Sequence, residues 1–201
     1  MISPQSLEAH DSAFVSEHVF ADDAISPEDF VLVVGAHSVI NPRLQIATIA
    51  APGATSTAVA TKITIGEYCI VSDMCTFELD LTRTAAISVG DYTHIEPAAR
   101  ISADTTIGKF CHIGAHAHIQ RGARIGDCVH IAPGVVVRTG EVVSPHTVVA
   151  YVGEEGEVQT LAGGEAMGKS ARKSEMQLHV GVLMRSIQAG GSAAGSGRRA
   201  H

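Results

Sequence analysis

The chain has 201 residues, 45% of them apolar and 17% charged, with a formal charge of −7. That is too apolar for a disordered chain and long enough for one domain with a true core. Basic residues pair only at Arg172-Lys173 and Arg198-Arg199, near the C-terminus; this excludes a basic face for nucleic acid. No apolar run reaches the ~18 residues that a membrane span requires.

The N-terminal stretch MISPQSLEAHD has neither the charged start nor the apolar run of a secretory leader. Four cysteines (Cys69, Cys75, Cys111, Cys128) contain no CxxC pair. Together these features predict reduced thiols and a cytoplasmic chain. Residues 1–30 carry weak repeat character around Phe14, Val15, Val19 and Phe20 and are expected to form an irregular first coil.

From residue 31 a step of six sets in, first at Val34, Ile40 and Ile46. Residues 47–62 read as an extruded loop. The step resumes at Ile65, Val71 and Phe77 and falters again over 79–86, where Arg83 stands at an aliphatic position. It then runs unbroken through Val89, Ile95, Ile101, Ile107, Ile113, Ile119, Ile125, Ile131, Val137, Val143 and Val149. Neither a helix nor a plain strand has period six. Two residues before each aliphatic the chain is mostly small, as at Ala99, Cys111, Ala117 and Ala123. One residue before, it is mostly polar, as at His94, Arg100, His112, His118, Arg124 and His130. In–out–in over three residues is a short strand. Gly or Pro in the next two places (Gly90, Gly108, Gly126, Pro97, Pro133, Pro145) marks a bend.

Each hexad is thus a strand and a corner, and three of them close a triangular coil. Coils stack about 4.8 Å apart as parallel strands. A narrow prism of this kind has little room for rings, which accounts for the 4% aromatic content. The repeat region is expected over 31–152, followed by a linker at 153–173. A helix at 174–188, with Ser174 as N-cap, packs Leu178, Val182, Leu183 and Ile187 on the prism. Residues 189–201 are rich in Gly, Ala and Ser and read as a disordered tail.

Eleven histidines invite a metal or catalytic reading. His94, His112 and His130 are spaced by one coil and should stack as an outward ladder. A linear ladder gives poor tetrahedral geometry, so a polar, partner-facing column outweighs a metal site. Arg100, His118 and Arg124 join the candidate partner-facing residues. Acyl transfer would need a histidine base, for which His116, His118 or His130 could serve. No flanking residue is an evident orienting carboxylate, although Asp127 lies near in sequence.

The hexad run resembles the hexapeptide-repeat family, and that resemblance implies a left-handed parallel β-helix, here with a C-terminal helix in an all-β chain. The γ-class carbonic anhydrases share this prism. Their zinc histidines fall on Glu78, Pro97 and Ser102 of this sequence, none of which is His. No metal and no cofactor is therefore expected. The segments VVGAHSVINPRLQI, ITIGEYCIVSDMCTFEL, PHTVVAYVG and MQLHVGVLMRSIQ resemble the dynactin subunit 6 family. That resemblance implies a non-catalytic adaptor in the dynactin pointed-end complex, supporting dynein-based transport along microtubules. The implied partners are a subunit 5-like prism and other pointed-end subunits, including an actin-related protein. A hexapeptide-repeat enzyme, above all an acyltransferase, is the alternative.

Overall fold

The computed structural model describes residues 6–23, 25–49, 60–82, 85–152, 157–162 and 169–194. Strands come in threes, one per side of the coil. The first coil holds β1 (Leu7–Ala9), β2 (Phe14–Val15) and β3 (Phe20–Ala21); the second holds β4 (Phe30–Val34), β5 (Val39–Ile40) and β6 (Gln45–Thr48). The third holds β7 (Thr61–Ile65), β8 (Ile70–Val71) and β9 (Thr76–Leu79), and the fourth β10 (Ala86–Val89), β11 (His94–Ile95) and β12 (Arg100–Ser102). Then follow β13 (Thr106–Ile107), β14 (His112–Ile113) and β15 (His118–Ile119), and next β16 (Arg124–Ile125), β17 (His130–Ile131) and β18 (Val136–Val137). The stack ends with β19 (Val142–Val143), β20 (Thr147–Val152), β21 (Glu157–Ala162) and the helix α1 (Lys169–Ala194).

These strands form three parallel faces of a left-handed β-helix. The first face runs β1-β4-β7-β10-β13-β16-β19, the second β2-β5-β8-β11-β14-β17-β20, and the third β3-β6-β9-β12-β15-β18. Partners lie 18 residues apart where the hexads are unbroken, as for Thr106 and Arg124. They lie 24 apart across the second interruption (Thr76 with Arg100) and 31 apart across the first (Val39 with Ile70). The flanking strands keep their pairing across both interruptions. Residues 50–59, 83 and 84, which include most of the expected loop and Arg83, lie outside the described residues.

Inside, the aliphatic column is fully buried: Ile95, Ile101, Ile113, Ile119 and Ile131 have no exposed surface. The small column fills the space between them with Ala99, Ala117, Ala123 and Cys75. Burying each such aliphatic contributes about 1.5–3 kcal/mol.

The corner chemistry differs from the sequence reading. The glycines directly after the aliphatics are not the residues that turn the chain; among the described residues, only at Gly122, Gly134 and Gly140 does glycine take the left-handed corner position. The left-handed conformation falls three places after each aliphatic, mostly on non-glycine residues: Tyr92 (φ 57), Ala98 (φ 59), Phe110 (φ 59), His116 (φ 57) and Cys128 (φ 58). Pro97 precedes such a residue in the manner of a type II turn, closed by a 3.4 Å bond from the Ala99 amide to the Glu96 carbonyl. A side chain in this region costs about 1–2 kcal/mol. Along one edge the cost is partly offset by stacking, with ring centroids 5.2 Å apart for Tyr68 and Tyr92 and 5.1 Å for Tyr92 and Phe110. The glycine after the aliphatic has another reason. A Cβ on Gly90 would stand 2.7 Å from the Gly108 carbonyl carbon and 2.8 Å from its oxygen, so the coils could not close.

The C-terminal part also departs from expectation. Residues 157–162, inside the stretch read as linker, form β21, antiparallel to β20. The helix starts at Lys169 and runs to Ala194, so Ser174 lies within it and does not cap it. Residues 195–201 lie outside the described residues. No helix among the described residues is long and apolar enough to cross a membrane.

Two substitutions test this architecture. Ile113→Asp places a charge in a dry interior and is expected to abolish the folded state; a soluble variant with wild-type circular dichroism contradicts the register. Gly90→Ala is expected to lower stability by about 1–3 kcal/mol in denaturant titration, because backbone cannot move aside.

Candidate active site

Strands β11, β14 and β17 each place a histidine outward, just before a buried isoleucine. Parallel register then stacks His94 on His112 and His112 on His130. Ring centroids are 5.2 Å and 4.8 Å apart. The helix α1 lies across this face. Val180, only 3% exposed, packs on Val39 and Ile70, with Phe14, Met176, Leu183, Met184 and Ile187 around it. Nearer its N-terminus the helix passes over the ladder, where His179 meets His94 edge-on at 5.7 Å. A groove of about 370 Å³ remains between helix and prism. Its walls are the three ladder histidines, the stacked Tyr92 and Phe110, Cys111, and Glu175, Met176 and His179 from the helix.

A diagonal pairing rule organises the polar groups. The residue just after the aliphatic of one coil bonds the outward residue of the next coil. On the second face, Ser72 Oγ lies 3.2 Å from His94 Nε2, and Glu96 Oε1 accepts from His112 Nε2 at 2.8 Å. On the third face, Arg100 Nε donates to Glu78 Oε1 at 3.0 Å, and Ser102 Oγ lies 3.2 Å from His118 Nε2. The separation is 16 residues in the regular stack and 22 across the second interruption.

Glu96 is thus the orienting carboxylate that the sequence reading did not find. Its second oxygen accepts from the Ala115 amide at 2.8 Å, which fixes it against the prism. Burial pushes the Glu96 carboxyl up, but His112 and the Ala115 amide outweigh it and hold the group below its ordinary value. With Nε2–H donated to Glu96, Nδ1 of His112 is the basic nitrogen. His94 is depressed to about 4 by burial and by the neighbouring His112 and His179, so it is neutral near pH 7.

The third face carries a second polar cluster. The Ser102 hydroxyl donates to Glu78 Oε2 at 2.6 Å, and His118 Nε2 stands 3.7 Å from the same oxygen. Burial raises the Glu78 carboxyl, yet Ser102 and Arg100 together hold it below the ordinary 4.5. Close by, Arg121 bridges Asp80 at 2.7 Å and Asp104 at 3.7 Å, which pins the second interruption.

The residues expected to face a partner divide accordingly. His94, His112 and His130 lie beneath α1 and line its groove, so they are not an open docking column. Arg100 and His118 belong to the Glu78 cluster, and Arg124 is exposed on the first face. His116 is an exposed corner residue, and Asp127 accepts from the Lys109 amide at 2.8 Å. Of the helix residues, Leu183 and Ile187 pack on the prism, whereas Leu178 and Val182 are 67% and 48% exposed. Glu78 and Ser102 bond each other, while Pro97 sits in the corner turn before Ala98. Among the described residues no group of three or more His, Cys, Asp or Glu is placed to hold a metal ion. Burial pushes the Cys69 and Cys75 thiols up to about 12, so neither is a nucleophile near neutral pH.

Residues 104–139 match the family described as bacterial transferase hexapeptide (six repeats). No curated protein sequence gives a match. Among solved structures, the chain is similar to a provisionally assigned acetyltransferase of Bacillus cereus, at 18% identity and TM-score 0.56, covering 90% of this chain and 92% of that one. It is also similar to AntD, an N-acyltransferase from Bacillus cereus, in complex with dTDP and 3-hydroxybutyryl-CoA. There the identity is 13%, the TM-score 0.58, and the coverage 86% and 91%. A mutant of AntD with dTDP and Coenzyme A gives 13% identity and TM-score 0.61, covering 85% and 91%. At these identities the likeness is one of fold. The matches support the hexapeptide-repeat prism and give no support to the dynactin assignment. They also correct the expectation of a non-catalytic chain, because the matched family and structures are transferases.

Ser102→Ala removes the hydroxyl donor to the buried Glu78 carboxylate and is expected to cost about 1.5–3 kcal/mol at neutral pH. Glu78 is held below its ordinary value, so this stabilisation is present above pH 4.5 and is lost as pH falls through the folded-state value. Denaturant titrations of wild type and variant should therefore converge on acidification.

Proposed function

We propose that the chain is an acyltransferase that moves an acyl group from a thioester donor to a hydroxyl or amine acceptor in the groove under α1. The observation that carries this reading is the 2.8 Å bond between Glu96 and His112 inside a groove of small-molecule size. Glu96 fixes the ring and its tautomer and favours the imidazolium that forms during reaction. Nδ1 of His112 takes the acceptor's proton as the acceptor attacks the thioester carbonyl. A C–O or C–N bond forms, the C–S bond breaks, and the departing thiolate receives the proton. His94, neutral near pH 7, does not compete for it. Tyr92, Phe110 and Met176 supply apolar wall against which an acyl chain or thioester arm can lie. The coenzyme A thioester bound to AntD supports this choice of donor class.

Release of free thiol from acetyl-CoA and longer acyl-CoAs, measured against a panel of amines and alcohols, tests the reading. His112→Asn is expected to lower kcat by about 10²–10⁴-fold with an unchanged melting temperature. Glu96→Gln should also lower kcat. Undiminished turnover in both variants overturns the assignment of the base. Absence of thiol release with every donor, with the chain recovered in a large particle containing actin-related proteins, overturns the enzymatic reading itself.

A further inference from the structure

We propose that α1 is an acid-released lid over the groove, held closed by imidazoles that must stay uncharged. The helix meets the second face in two unlike ways. Val180, Leu183, Met184 and Ile187 rest on an apolar footing made by Val39, Ile70 and Phe14. Toward the helix N-terminus His179 is set edge-on against His94, and Glu175 lines the groove beside the ladder. His94 is the pivot. It is enclosed by Ser72 from the coil below, His112 from the coil above, and His179 from the helix.

Of the neighbouring charges Glu96 favours a proton on His94, but burial and the adjacent His112 and His179 outweigh it. On the prism side Glu96 is already engaged by His112 and the Ala115 amide. The Asp91 carboxylate is taken by Lys109 at 2.7 Å. On the helix side Lys173 stands over Tyr92, 5.7 Å from the ring centroid, and adds a positive charge. Glu175 is the one acidic residue that the helix contributes to the groove wall. It lines the groove together with His179 and the three ladder histidines. A charged His94 is therefore desolvated and sits among other imidazoles, and the helix must lift to hydrate it.

The sign follows from linkage. His94 holds its proton only at about pH 4 with the helix docked, and loss of the helix's burial and of His179 moves it back toward its ordinary 6.5. Between these values the released form binds more protons, so the closed lid is fully favoured above pH 6.5 and loses ground as pH falls toward 4. Complete protonation shifts the equilibrium toward release by at most about two orders of magnitude. The inference concerns access to the groove and does not depend on whether acyl transfer is the chemistry inside it.

Hydrogen exchange of the full chain, read by mass spectrometry from pH 8 to pH 4.5 and corrected for intrinsic rates, tests the lid. Amides of residues 174–187 should lose protection on acidification while the strands over 87–137 keep theirs. In His94→Gln the helix protection should become independent of pH. In His179→Gln, a surface change that leaves the prism intact, the pH dependence should shrink. Helix protection that does not change with pH in the wild type overturns the proposal. So does its loss together with the prism strands, or an unaltered profile in both variants.

Discussion

Every feature of this molecule depends on in-register parallel hydrogen bonding between successive coils. Register puts like on like: Ile95 beneath Ile113 beneath Ile131, and His94 beneath His112 beneath His130. For aliphatics the repetition builds a dry core. For ionisable groups it is a liability, because a column of equal charges a few ångströms apart repels itself. The diagonal partners answer that liability. Four outward residues, His94, Arg100, His112 and His118, lean on the residue that follows the aliphatic one coil below, so Glu78 serves Arg100 and Glu96 serves His112.

The same constraint locates the groove. A flat stack of strands has no cavities of its own, since side chains leave it at fixed intervals and at nearly equal length. A concave site arises only where a separate element lies across a face. The helix does this on the second face, where the apolar outward residues of β5 and β8 give way to the histidines of β11, β14 and β17. The groove lies at that change of side-chain type. The helix has its footing on the apolar end and leaves space over the polar end.

Much of the prism was legible in the sequence because its signal is additive over many hexads. Val89 to Val149 alone specifies the faces, the inner column and the three-strand coil. The diagonal partners were not legible, because they lie neither in the same column nor nearby in sequence. Glu96 and His112 are 16 residues apart, and only the three-dimensional strand register turns that interval into a contact. The signal that could have found them is the polar residue immediately after the aliphatic, which the pattern Ile-Gly elsewhere disguised as mere bend chemistry. The position of α1 was illegible for another reason. Leu178 and Val182 carry the same apolar character as Leu183 and Ile187, and helical phase relative to a distant sheet decides which pair is covered. Strand β21 was missed because Glu157–Ala162 carries no hexad, its pairing being antiparallel to the chain's last regular strand.

The two interruptions of the stack have a bearing on how such a chain can change over evolutionary time. Partners 18, 24 and 31 residues apart all stack with the same inward column, because the additional residues fall between strands. A single residue gained or lost within a strand would instead turn every later aliphatic toward water. Tolerated length variation should therefore be quantised, either as whole coils of eighteen or as excursions of any size at a vertex. The vertices are where new loops, and with them new specificities, can be tried without disturbing the interior.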